Sequence, residues 1–181
     1  MSIDRNLALA ASAALLASLL AGLLAFHYWE SVKLLAAGFA LVSIGALSRY
    51  PERFARESFG FELGVFFALC SSFALGLFGV AVGACYSIAA GWVAREPPQD
   101  TLVGLLCIAL VSFLAALVGP GDVLLYGLGF VFLYDLLCLG IYSFMGHSVF
   151  GGMKFMAGHM LWSYVVFSLW GEKLVALLSN L

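Results

Sequence analysis

A bundle of transmembrane α-helices is the fold class this sequence predicts, with seven helices expected and six as the alternative. Three observations predict it. Hydrophobic residues fill 64% of the 181 positions and charged residues only 10%, with a mean hydropathy of +1.09. A soluble domain carries about 25% charged residues, so this chain could not cover a water-facing surface, and the bilayer is its expected solvent. Its apolar runs are long enough to cross a membrane and are joined by polar stretches too short to house a soluble domain. Tyr and Trp stand near the ends of those runs, as at Trp29, Tyr50, Trp92 and Trp170, where an amphipathic ring suits the membrane interface.

The helices are expected over 7–26, 32–47, 61–73, 74–94, 102–118, 122–145 and 152–178, in one transmembrane domain spanning 1–181. The first run holds about 20 apolar residues, enough for a core about 30 Å thick. It exceeds the roughly 7–15 of a signal-peptide core, so it reads as a retained helix. Ala10, Ala14, Ala17 and Ala21 place small residues along one of its faces, where backbones could approach closely. The second run ends at Ser48 and leads into a segment carrying Arg49, Glu52, Arg53, Arg56 and Glu57, expected at the inner interface.

The run 61–93 would be roughly 50 Å long as one helix, so it is expected to fold back on itself around Ser71, Ser72 and Gly76. Its second arm carries a stripe of Gly76, Gly79, Gly83, Ser87 and Ala90. Glycine costs about 1 kcal/mol in a helix, so this stripe predicts tight packing, with Gly76, Gly79 and Gly83 as contact positions. Pro97 and Pro98 mark an inner turn before the fifth helix. Gly119, Pro120 and Gly121 mark an outer turn before the sixth.

Charge orients the bundle. With seven crossings and a cytoplasmic N-terminus, Arg5, Arg49, Arg53, Arg56, Arg95 and Lys154 lie inside, and only Lys33 and Lys173 outside, as the positive-inside rule requires. The expectation is a multi-pass cell-membrane protein whose C-terminus lies outside. A net charge of −2 and the lack of a basic cluster argue against nucleic-acid binding.

Ionisable groups at membrane depth are functional candidates by default. Asp135 sits near the middle of the sixth helix, preceded by Tyr134, and must pair, face a water-filled cavity or be neutral. The alternative is an interhelical hydrogen bond with no further role. His159 lies half-way along the last helix, with Trp162 and Ser163 close by; a packing role competes with a proton relay or ligand contact. Glu62 opens the third helix as a carboxylate favoured by the dipole, or as a ligand contact. Asp135, His159, Glu62 and Tyr134 are therefore the expected ligand-binding residues, lining a cavity between the third, sixth and seventh helices. Lys154 and His147 flank the inner start of the last helix, where headgroups account for them. Cys70, Cys85, Cys107 and Cys138 lie in apolar runs without a CxxC pair and read as small core residues. His27, His147 and His159 are scattered, HExxH and HxxxH are absent, and the residues name no metal and no cofactor.

Gly119-Pro120-Gly121-Asp122 matches the GxGD pattern of intramembrane aspartyl proteases, and Tyr134-Asp135 resembles their YD pair. Here the order is reversed. Asp122 and Asp135 are also 13 positions apart on one expected helix, roughly 20 Å of rise, so they cannot share a proton.

The stretch from Phe61-Glu62-Leu63-Gly64 through Trp92 resembles the S components of energy-coupling-factor vitamin transporters and the MreD-like membrane proteins. Both are small bundles in which a tight turn precedes a helix with a repeated glycine face, as at Gly76, Gly79 and Gly83. Gly158-His159 through Leu174 is similar to their final helix. The resemblance implies a small-molecule-binding transport subunit without its own ATPase, and Ala10/Ala14 or Ala17/Ala21 would be its docking face for a partner. S components have six helices, one fewer than expected here. The leading functional expectation is a protein that binds or moves a small molecule with a membrane partner. A non-catalytic accessory or scaffold subunit is the second, and a membrane-embedded enzyme acting on lipid or peptide the third.

Overall fold

In the computed structural model, residues 29–53 and 62–181 are described. All regular structure among them is helical. The expected first helix, with Ala10, Ala14, Ala17 and Ala21, lies outside the described residues. The chain divides into two compact units, 1–37 and 38–181. In the first, the described residues form the start of helix α1 (Trp29–Ser48), where Lys33 pairs with Glu30 at 2.5 Å.

The second unit holds the rest of α1, a 3-10 turn (Tyr50–Arg53), and then α2 (Gly64–Leu75), α3 (Leu77–Ala94), α4 (Pro98–Val118) and α5 (Val123–Phe144). A final run comprises α6 (Val149–Val166), a π turn (Phe167–Gly171) and α7 (Glu172–Ser179). Five helical runs are long and apolar enough to cross a membrane: α1, α3, α4, α5 and Val149–Ser179. Large apolar side chains cover their outer faces, with Phe144 94% and Trp92 83% exposed. Such a surface is stable against acyl chains and not against water, so the chain is a helical membrane protein.

The expected count of seven crossing helices is corrected here. Helix α2 has 12 residues, about 18 Å of rise, too short for a hydrocarbon core near 30 Å. It is instead the most enclosed helix, with Val65, Ala68, Leu69, Cys70 and Ser71 all at 0% exposure. The fold-back expected in 61–93 occurs at Gly76, whose φ of +57° and ψ of −127° lie where side chains clash with backbone. Gly76 is thus the turn and not a packing position; a Cβ there would meet nothing within 4 Å. Ser71 and Ser72 stay helical, their hydroxyls donating to the Phe67 and Ala68 carbonyls at 2.7 and 2.8 Å.

Glycine brings α3 close to its neighbours. A Cβ at Gly79 would strike the backbone of Ser71 and Ser72 in α2. One at Gly83 would lie 3.0 Å from Ser112 Oγ of α4 and 3.1 Å from the Ala68 Cβ. The stripe therefore packs on this chain's own helices. On α1, Gly38 faces Phe78 and Val82, and Gly45 faces Gly64 and Tyr86. Below α2, Phe167 lies edge-on to Phe66 at 4.8 Å between ring centres, and Gly127 makes room for its ring.

The π turn keeps the last run in register. Its buried positions include His159, Ser163, Phe167, Gly171 and Val175, a repeat of four. An α-helix of 3.6 residues per turn drifts about 40° per such step, and one slackened turn returns Gly171 and Val175 to the core face.

Candidate functional site

At one end of the second unit the helix ends converge around polar side chains. Arg49, just past α1, pairs with Glu96 in the α3–α4 turn at 2.5 Å. The Tyr142 hydroxyl near the end of α5 donates to the Asp100 carbonyl at 3.2 Å, and its ring lies 5.2 Å from that of His147. The Leu63 amide donates to Ser48 Oγ at 3.2 Å, joining the entry of α2 to the end of α1. From this end a cavity of about 440 Å³ runs inward between the helices, within the roughly 300–1,000 Å³ of small-molecule sites.

Glu62, two residues before α2, is 2% exposed and lines this cavity. Its carboxylate accepts a hydrogen bond from the Tyr86 hydroxyl. It stands just ahead of the helix start, where the dipole was expected to favour a carboxylate; the N-cap residue is Leu63, and no side chain caps it. Tyr86 lies eight residues before the end of α3, so this pair sits about 12 Å below that helix end.

Asp135 and Tyr134 reach the same cavity from α5. Asp135 is 3% exposed, and its Oδ1 lies 2.7 Å from His159 Nδ1 on α6. With the proton on Nδ1, the imidazole donates to the carboxylate. His159 is fully buried behind Asp135, flanked by the rings of Phe155 at 5.5 Å and Tyr134 at 6.1 Å, and it is not part of the cavity wall. Two buried polar atoms of the pair lack a protein partner: Asp135 Oδ2 and His159 Nε2. An unsatisfied buried polar atom costs about 1–3 kcal/mol, so both atoms call for a partner that the protein's own side chains do not supply. Asp135 thus lines the cavity with its carboxylate held in orientation by the imidazole.

The four expected residues thus fall into two layers: Glu62, Tyr134 and Asp135 on the wall, His159 behind it. The expected boundary between the third, sixth and seventh helices is too narrow. Tyr86 and Ser87 of α3 and Asp100, Gly104 and Ile108 of α4 also line the cavity. On α5, Asp135, Cys138, Leu139, Tyr142 and Ser143 line it at helical spacing, a partly polar stripe in an otherwise apolar helix. That spacing was a usable signal, as was Tyr86-Ser87 in a run of Gly, Ala and Val. Arg49, Glu96 and Asp100 carried no such signal, because charged residues at helix ends are expected at any interface.

Asp122 stands apart. It is the N-cap of α5, accepting from the Leu125 amide at 2.9 Å, which satisfies a helix-end donor and uses the GxGD aspartate as a cap. Of the cysteines, Cys70, Cys107 and Cys138 are buried, while Cys85 is exposed on the outer face and departs from the expected core role. Lys154 lies over the Phe150 ring at 4.9 Å. Among the described residues, no three His, Cys, Asp or Glu side chains are grouped to hold a metal ion. No protein-family model, curated protein or solved structure matches this chain.

Proposed function

We propose that this protein binds a small molecule in the cavity above Asp135 and moves it across the membrane with a partner protein that supplies any nucleotide-driven step. One observation carries this reading: Asp135, a buried carboxylate with one oxygen lacking a protein partner, is among the residues that line a cavity of ligand size. A purely structural Asp–His bond would not need its second oxygen held beside a cavity. The resemblance to vitamin-transporter S components points the same way. In this reading the chain is a multi-pass cell-membrane protein. Its N-terminus is cytoplasmic and its C-terminus outside, because the α2–α3 hairpin enters and leaves at one end, at Ser48–Leu63 and Arg49–Glu96, and makes no net crossing; the cavity opens to the cytoplasm, where the arginines cluster.

The scaffold reading is weaker, because Gly79 and Gly83 pack on the chain's own helices and are not free for a partner. The experiment is a thermal-shift screen of the purified chain with vitamins, amino compounds, metal ions and lipids. A ligand at a hundred times its Kd stabilises by about 2.7 kcal/mol. The expected result is a melting shift that is lost in Asp135→Asn. A shift that survives both Asp135→Asn and Tyr134→Phe would place binding elsewhere and defeat the proposal.

A further inference from the structure

The walls of the cavity are unequal in charge. Glu62, Glu96, Asp100 and Asp135 bring four carboxylates, and Arg49, already paired with Glu96, brings the one guanidinium. An acidic cluster alone can be a solvated helix end, but two details go further. Asp135 is more than nine-tenths buried, lines the cavity and has Oδ2 without a protein partner. Asp100 Oδ1, also buried, has none either. Both oxygens are acceptors, and a ligand that satisfies them must donate hydrogen bonds.

Aromatic rings complete the wall. Tyr86, Tyr134, Tyr142 and Phe155 all line the cavity, and ring faces attract cations held near them. A bare metal ion is a poor match, since no three ligating side chains are grouped among the described residues. An anion would face four carboxylates and leave both free oxygens unsatisfied.

We propose that the cavity takes a small organic cation, an amine or amidine whose N–H groups bond Asp135 Oδ2 at the floor and Asp100 Oδ1 nearer the mouth while its carbon frame lies among the tyrosine rings. This rests on the reading of the cavity as a ligand site. Charge-assisted hydrogen bonds are about twice as strong as neutral ones, so the amine should bind at least roughly tenfold tighter than an alcohol of the same shape.

The test uses the full chain in lipid nanodiscs and two matched probe sets. Putrescine is compared with 1,4-butanediol and succinate, and tyramine with tyrosol and 4-hydroxyphenylacetate, by thermal-shift titration. The expected result is stabilisation by at least one amine, half-maximal at a concentration roughly tenfold or more below its alcohol, with no shift from the acids. Asp135→Asn should abolish the effect and Asp100→Asn should weaken it. Equal stabilisation by an alcohol or acid overturns the inference, and so does no shift from either amine.

A second measurement separates that failure from failure of the cavity itself. Cys138 lines the cavity, so a variant keeping it as the sole cysteine is treated with cationic and anionic methanethiosulfonates, each rate normalised to 2-mercaptoethanol. The expected result is faster modification by the cation, with the advantage lost in Glu62→Gln/Asp100→Asn. If the amines fail while the reagents reach Cys138, the cation inference falls and the ligand cavity stands. If the amines fail and neither reagent reacts, both fall.

Discussion

Asp135 and His159 are each nearly inaccessible, and each is the other's hydrogen-bond partner in the described structure. Removing one member of a buried pair strands the other, typically at a cost of about 3–5 kcal/mol, whereas replacing both with apolar residues is often close to neutral. His159→Ala is therefore expected to lower thermal stability sharply, and Asp135→Leu/His159→Leu to recover most of the loss. Melting temperatures of the two singles and the double, read as a cycle, check this; additive losses would show that the pair is not coupled. The sequence singled out both residues because ionisable groups are costly in lipid. It could not pair them, since 24 positions on two helices separate them and nothing local sets their relative rotation. Tyr86 could be noted as a polar position in an apolar run, but its partner could not be: its hydroxyl donates to Glu62, 24 positions away.

Among the elements, the α2–α3 hairpin shows how glycine is used in two different ways. Gly76 supplies a backbone conformation, while Gly79 supplies space. A Cβ at Gly79 meets backbone, which cannot swing aside as a flexible side chain can, so Gly79→Ala should cost about 1–3 kcal/mol. Gly129 on α5 has open space around it, and Gly129→Ala should be neutral or stabilising by up to about 1 kcal/mol. Thermal unfolding of the two variants side by side checks the assignment; equal losses would contradict it. Most helices were legible to within a few residues because apolar length and turn residues are local properties. The contact that fixes the entry of α2 was not legible, because the Leu63 amide bonds Ser48 Oγ across 15 positions of chain. The π turn was equally hidden: a repeat of four becomes a slackened turn only when the core face must stay aligned.

For the whole molecule, the testable property is orientation. The ends of α1, α3 and α5 meet around Arg49, Glu96 and Tyr142, while the Gly119–Asp122 turn lies at the other end of α4. The proposed orientation places the first group in the cytoplasm. In a background with Cys85 and Cys138 replaced by Ala, an impermeant maleimide should label Pro120→Cys on intact cells and Gln99→Cys only after permeabilisation. The reverse pattern would invert the protein, and labelling of both from one side would remove α4 as a crossing.

Composition and the length of apolar runs were enough to establish a helical membrane protein and most of its helix positions, because the cost of exposing polar backbone to lipid is paid segment by segment. They also marked Asp135, His159 and Glu62 as residues to account for. Only packing decided that α2 is a short enclosed helix, that the α3 glycines face this chain's own helices, and that four helices, with Arg49 and Glu62 beside them, line one acidic cavity. Those outcomes depend on how helices rotate and approach one another, and that is settled by contacts between residues far apart in the chain.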